Sequence, residues 1–386
     1  MRQRMDSLQV IRTLAFLGIF ASHSGITAFN SGGAWGVSVF LILSGFLMTY
    51  SYLGTERITD KSIKSSFRFG VGKIKKLYPL HIVTMLLAVP FLIYEYRSHA
   101  GLGKIITPAV KLVLNVALVQ SWIPKSGFYF SLNAVSWYLS TSLFLYMTFP
   151  FILFGMKRYK KGIKTAIIII SVTYIIQILL AFLAYVVNIN LIHDDDFIHW
   201  FPYIFPLSRL EDFIIGCNLG YIFMNHRNEE KGSDQKVYTI AEIGVVAIII
   251  VQWILYLTKI YIPSKADPPV PTSNWWGLTV LWTMSSCALV YLFALKRGKL
   301  SQLLSNKALI FIGNMSANGF LIHQMVYRYL NSFEKKLFGQ SNNYINLLIC
   351  FAITMASAYL WDKTINRFHK KKETPNDNLK IMTHSS

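Results

Sequence analysis

The chain has 386 residues, with 38 Lys+Arg against 18 Asp+Glu and a formal net charge of +20. Only 15% of it is charged, 53% is hydrophobic and the mean hydropathy is +0.42, whereas an average soluble domain is about 25% charged. These values exclude a disordered chain, and uncharged runs as long as a bilayer is thick exclude a nucleic-acid-binding surface. The composition is that of a protein whose solvent is lipid.

A helix needs about 20 mostly apolar residues to cross the hydrocarbon core. Taken in chain order, such runs cover 8–27, 35–53, 77–96, 134–156, 165–189, 203–224, 237–262, 275–295, 308–330 and 344–366. They predict an all-α integral membrane protein of about ten transmembrane helices in one bundle. The positive-then-apolar start, Met1 to Gly18, reads as an uncleaved first span because many apolar segments follow it. No Asp, Glu, Lys or Arg lies between Arg12 and Glu56, so the first two spans read as a helical hairpin turning at Asn30-Ser31-Gly32-Gly33. Residues 56–76 read as a loop rich in Lys and Arg.

The stretch 109–124 is apolar but short, contains Lys111 and Asn115, and ends in Pro124. Counting it as a span would send the basic loops after it to the outer side, against the positive-inside rule. Residues 97–133 are therefore expected to form an external loop with a surface or re-entrant helix. With that assignment 28 of the 38 Lys and Arg fall on one side, which predicts cytoplasmic termini, a transmembrane domain over 1–368 and a basic cytoplasmic tail over 369–386. Cys217, Cys287 and Cys350 are spaced for neither zinc nor a disulfide framework and read as small buried hydrophobes. Asp194, Asp195 and Asp196 are adjacent and do not share a face, so no metal site is expected. Trp200, Tyr203, Trp275 and Trp276 read as an interfacial aromatic belt.

Ionisable groups inside spans are costly and mark function by default. Arg12 and His23 are eleven positions apart, roughly 16 Å along one helix face. A guanidinium fork suits a phosphate, and an imidazole suits proton transfer near neutral pH. His323 lies in a later span, where assistance to an acceptor and a purely structural part both remain open. In span two, small residues at Gly36, Ser38, Ser44 and Gly45 allow close helix approach.

The order of these residues resembles the membrane-bound acyltransferase-3 family. Arg12 and ten residues precede His23; then come Gly36-Val37 with Phe40 and Ser44-Gly45-Phe46, and the basic Lys73-Ile74-Lys75-Lys76-Leu77-Tyr78-Pro79. Trp137-Tyr138-Leu139-Ser140, Arg209-Leu210-Glu211-Asp212-Phe213 with Gly216, and Phe320-Leu321-Ile322-His323-Gln324 follow in turn. The resemblance implies an enzyme that moves an acyl group, usually acetyl from acetyl-CoA, to a hydroxyl of a cell-surface polysaccharide or glycolipid. His23 matches the family's essential histidine, as base or acyl relay, and Arg12 the arginine that contacts the CoA donor. Lys73 and Lys76 match basic positions where arginine is commoner, and Arg209 is grouped with them as donor-binding. Ser44, Gly45, Trp137, Asp212 and His323 match supporting positions.

The sequence also departs from the family. Asp212 stands where Glu is common, and Ser142 stands where many members have a glutamate. Some relatives carry a fused extracellular hydrolase-like domain; without one, this chain is expected to acylate its acceptor itself or to hand the group to a separate partner protein. No cofactor is expected beyond acyl-CoA as co-substrate, and the expected location is a bacterial plasma membrane. Another acyl-CoA such as succinyl-CoA, a small-molecule acceptor, or a transporter without covalent chemistry remain alternatives.

Overall fold

The computed structural model describes residues 5–98, 101–159, 162–226, 234–263, 271–273, 275–338 and 342–373. Arg2, Arg4, residues 264–270 of the Pro-rich loop and the tail beyond residue 373 lie outside the described residues. The helices are α1 (Asp6–Ser22), α2 (Ser31–Tyr52), α3 (Ile63–Ile74), α4 (Tyr78–Tyr96), α5 (Gly103–Val116), α6 (Ser126–Tyr129), α7 (Trp137–Met156) and α8 (Ile163–Val187). They continue with α9 (Asp195–His199), α10 (Pro206–His226), α11 (Gln235–Leu255), α12 (Val280–Leu295), α13 (Lys299–Leu304), α14 (Lys307–Phe338) and α15 (Asn343–Glu373). A short antiparallel ribbon, β1 (Tyr261–Pro263) with β2 (Pro271–Ser273), joins α11 to α12.

Among the described residues six helical stretches are long and apolar enough to cross a membrane: Thr27–Tyr52, Tyr78–Tyr96, Ala134–Met156, Ile163–Ile192, Gln235–Ile260 and Asn343–Thr364. The other four expected spans are helical as well. Two are short, α1 with 17 residues and α12 with 16; α10 carries Arg209, Glu211 and Asp212, and α14 is longer and more polar. The chain is a membrane protein whose least apolar helices lie nearest its polar interior.

The bundle is built around α2, which packs against α1, α10, α12 and α7. The α2–α10 contact is made by glycines: a Cβ on Gly45 would strike the Phe213 carbonyl, and one on Gly216 the Ile42 carbonyl. Such small residues let two backbones approach where larger ones would hold them apart. By contrast, α8 and α11 expose Ile, Val and Leu over most of their circumference, the mark of lipid-facing positions.

Several local expectations are corrected. The hairpin turn comes earlier than 30–33: the chain turns at Gly25, whose φ is +75°, passes a 3-10 turn at Thr27–Phe29 and enters α2 at Ser31. Gly32 serves packing instead, since a Cβ there would meet the Gly18 carbonyl. The basic loop over 56–76 contains helix α3, capped by Ser62, whose side chain accepts from the Ser65 N–H. Its Ser66, Gly70 and Ile74 are buried, with Gly70 against Met147 of α7, while Lys64, Arg68 and Lys73 stay exposed. Helix α15 runs on to Glu373 through residues read as tail, because nothing breaks it before Pro375.

Around α5 and the segment that follows it, several polar groups are buried and satisfied within the protein. The Asn115 side-chain amide donates to the Lys111 carbonyl and to Ser131 Oγ, and its oxygen accepts from Ser136 Oγ at 3.1 Å. His81 and the Asn115 carbonyl are 3.0 Å apart, and Lys111 pairs with Glu95 at 2.8 Å. Irregular backbone deep in a bundle is tolerated only where the protein itself supplies such partners. The same packing overturns part of the aromatic-belt expectation: Trp200 and Tyr203 are both 8% exposed, with the Trp200 indole donating to the Ser121 carbonyl at 2.9 Å.

Candidate active site

Helix α1 ends at Ser22, and His23 occupies its C-cap position. A helix end leaves its last carbonyls without N–H partners. Here the Ile19 carbonyl is taken instead by Ser22 Oγ at 2.7 Å and by His23 Nδ1 at 2.8 Å. A ring nitrogen bonded to a carbonyl oxygen carries the hydrogen, so the tautomer is fixed: Nδ1–H donates and Nε2 keeps its lone pair. His23 is exposed at the end of its helix.

Behind it stands His323 of α14, fully buried. The ring centroids are 4.9 Å apart, and His323 Nε2 lies 3.4 Å from His23 Nδ1. His323 Nδ1 is 3.2 Å from the Gly319 carbonyl, which fixes its hydrogen on Nδ1 and leaves Nε2 as an acceptor facing His23. The two histidines are 300 positions apart in sequence, and the fold makes them one unit. Phe16, Phe20, Phe320 and Tyr327 enclose the His323 ring.

A line of accessible residues leads away from this pair along α2. Phe40, Ser44, Leu47 and Ser51 are half-buried while almost every other residue of the helix is closed off, and their spacing of four, three and four places them on one face. That face looks into the bundle. Phe40 meets Tyr138 of α7 and Phe320 of α14, and the Tyr138 hydroxyl lies beside Ser44 and Ser142 within electrostatic reach of Arg12. Arg12 is itself half-buried, and on α14 Ala317, three positions before Phe320, is exposed, as is Asn314.

The stripe ends at Tyr52, about 18 Å from Phe40 along the helix axis. There Lys73 donates to the Tyr52 hydroxyl at 2.6 Å, with its ammonium over the Tyr52 and Phe69 rings. Lys75 and Lys76 are exposed nearby in sequence, and Lys76 lies 3.8 Å from Asp362. The stripe is thus cationic at one end and imidazole-lined at the other.

Arg209 lies elsewhere. It is fully buried on α10, ion-paired with Asp212 at 2.7 Å and donating to Ser38 Oγ at 3.2 Å. Gln177 and Thr283 complete the shell of Asp212. Ser38 is two residues from Phe40, nearly opposite on the helix, so this pair sits across α2 from the accessible stripe. Gly45 makes the helix contact described above, while Trp137 is buried against Tyr138 and Tyr203. Sequence reasoning quoted Phe40, Tyr138 and Phe320 only as parts of motifs and did not single out Tyr52. Their shared side of the bundle becomes visible only when three helices are assembled.

A separate polar cluster joins the 125–130 segment to α9. Lys125 pairs with Asp194 at 2.5 Å, which raises the lysine pKa, and Tyr129 shares a hydrogen bond with His199 at 3.1 Å. Burial drives the His199 pKa down to about 3. Among the described residues no group of three or more His, Cys, Asp or Glu is placed to hold a metal ion.

With this geometry in view, comparison with known proteins is decisive at the level of family. The family described as an acyltransferase domain, Acyl_transf_3, matches residues 5–362. The chain belongs to this acyltransferase-3 family. It is 31% identical over 160 residues to acyltransferase MdmB of Streptomyces mycarofaciens, covering 38% of each chain. It is 24% identical over 356 residues to O-acetyltransferase OatA of Staphylococcus aureus, covering 89% of this chain and 54% of that protein. The acyltransferase-3 chain therefore spans only about half the length of OatA, and no solved structure matches it.

Proposed function

We propose that the protein transfers an acetyl group from acetyl-CoA to a hydroxyl of a cell-surface polysaccharide or its lipid-linked precursor, across a bacterial plasma membrane. The observation that carries this reading is the histidine pair at one end of an interior stripe whose other end is cationic. Ten helices cross the membrane in this reading, with both termini and the Lys73 end on the cytoplasmic side. Lys73, Lys76 and Arg12 attract and hold the phosphates of the donor, since a cleft lined by one charge raises the local concentration of the opposite one. The stripe is comparable in length to an extended pantetheine arm, so the thioester arrives near His23.

Transfer then needs one base. His23 Nε2 takes the proton from the acceptor hydroxyl as its oxygen forms the new C–O bond to the thioester carbonyl. The C–S bond breaks, and the same nitrogen returns the proton to the CoA sulfur. While His23 is charged, its Nδ1–H is held by the Ile19 carbonyl and faces His323 Nε2, a supporting arrangement like that of an orienting carboxylate in a catalytic triad. Direct transfer of this kind needs neither a covalent intermediate nor the glutamate that Ser142 replaces. A separate protein that receives the acyl group from the acylated sugar is compatible with it.

The test is base-labile acetate on purified envelope polysaccharide from cells with the wild-type gene, without it, and with His23→Ala. Acetate that depends on both gene and histidine is the expected result. Acetate that is unchanged by loss of the gene sinks the polysaccharide acceptor.

A further inference from the structure

Three rings close the stripe just short of the histidines. Phe40 of α2, Tyr138 of α7 and Phe320 of α14 form a triangle, with centroids 6.3 Å apart for Phe40–Tyr138, 6.3 Å for Phe40–Phe320 and 5.3 Å for Tyr138–Phe320. At these separations aromatic rings are in contact, and each comes from a different helix. On one side the Tyr138 hydroxyl reaches toward Ser44 and Arg12. On the other, the Phe320 ring lies 5.9 Å from His323, which touches His23. The triangle therefore stands between the cationic part of the stripe and the base.

Each ring is backed. Trp137 lies 6.1 Å behind Tyr138, His323 stands behind Phe320, and Gly36 allows α2 to close on α1, where a Cβ would meet the Ala15 carbonyl and Ile19. Phe40 and Tyr138 keep partial accessibility at the rim of this collar.

The geometry points to this collar as the element that sets the length of the acyl group. The inference rests on the reading that an acyl-CoA enters from the Lys73 end. A thioester carried at the tip of a slender arm presents its acyl group first, and that group is the part that must pass between the rings to reach His23. The rings already touch, so an acyl group passes only as they part, and each further methylene needs more of the space that they occupy. Apolar pockets discriminate single methylenes by about 10–200-fold. The collar also keeps water from the donor side until the acyl group fills it, as apolar constrictions do in channels.

The experiment supplies labelled acetyl-CoA, propionyl-CoA or butyryl-CoA to the cytoplasmic face of membranes containing the full chain and counts base-labile label in the envelope glycan fraction. The wild type is expected to transfer acetyl at least tenfold better than butyryl. Phe40→Ala is expected to raise the butyryl-to-acetyl ratio at least tenfold, with Phe40→Leu intermediate as the milder change should the alanine variant fail to insert. A wild type that uses butyryl as well as acetyl, or a ratio unchanged in an inserted Phe40 variant that still transfers acetyl, overturns the collar while leaving acyl transfer intact. Wild-type membranes that transfer none of the three overturn the reading on which it rests.

Discussion

The two ends of the α2 stripe are built on opposite plans. At the Tyr52 end the functional groups are exposed lysines at and just beyond the end of α3, held by a hydrogen bond, ring contacts and one long ion pair at the surface. At the His23 end the orientation of the ring is determined by a helix terminus and by a buried second histidine, itself enclosed by four aromatic rings. Recognition of a diffuse anionic charge tolerates loose placement, because a charge in solvent acts over several ångströms. Proton transfer does not, since it needs hydrogen-bond distance and the right tautomer. The difference predicts that substitutions at the two ends differ in size and in kind.

The largest effect is expected from His23→Ala: roughly a thousandfold loss of acyl transfer, within the range general-base catalysis contributes, with membrane abundance unchanged by immunoblot. A variant with ample residual activity would remove the base from this end altogether. Next, Arg12→Ala is expected to raise the donor KM by about 10–100-fold, as for loss of a charge-assisted hydrogen bond, measured with labelled acetyl-CoA in membranes. An effect confined to kcat would move Arg12 from binding to chemistry. The paired change Lys73→Ala with Lys76→Ala is expected to cost only a few-fold in KM, in keeping with exposed charges, and to fade at high salt. A loss as large as that of His23→Ala would break the contrast between the ends.

The smallest effect concerns stability, away from both ends. His199 is buried, and burial lowers its pKa to about 3, from about 6.5 for a free imidazole. Protonation therefore favours the unfolded state: the contribution is fully present above pH 6.5 and is lost as the pH falls toward 3. At pH 5 the loss is about 2 kcal/mol, visible as a lower melting temperature of detergent-solubilised protein. His199→Gln is expected to flatten that slope, and an unchanged pH profile would show that His199 does not report on this region.

The ends of the stripe also differ in how far they can be read from the sequence. Arg12, His23 and His323 stand out because ionisable groups in apolar runs are expensive, and the ordered motifs supply the family. What no spacing reveals is that residues 23 and 323 touch, since the contact depends on α1 and α14 lying side by side. Helix α3 was masked by its setting: it is too short to read as a span, and it lies in a stretch rich in Lys and Arg that reads as a loop. Gly32 and Gly33 read as a turn because glycine serves turns and close packing alike, and only the neighbouring Gly18 carbonyl distinguishes the two. Arg209 carries the same charge as the lysines near the stripe, yet its buried ion pair with Asp212 and its bond to Ser38 are a matter of tertiary geometry.

The glycine seam between α2 and α10 has a consequence for motion. With Gly45 and Gly216 set backbone to backbone, and Arg209 bonded to Ser38 across the same contact, the two helices behave as one post. Substrate passage cannot widen the stripe by moving α2 without breaking that seam. Any widening of the stripe is therefore expected to come from the opposite wall, α7 and α14, with α2 and α10 together as its common reference.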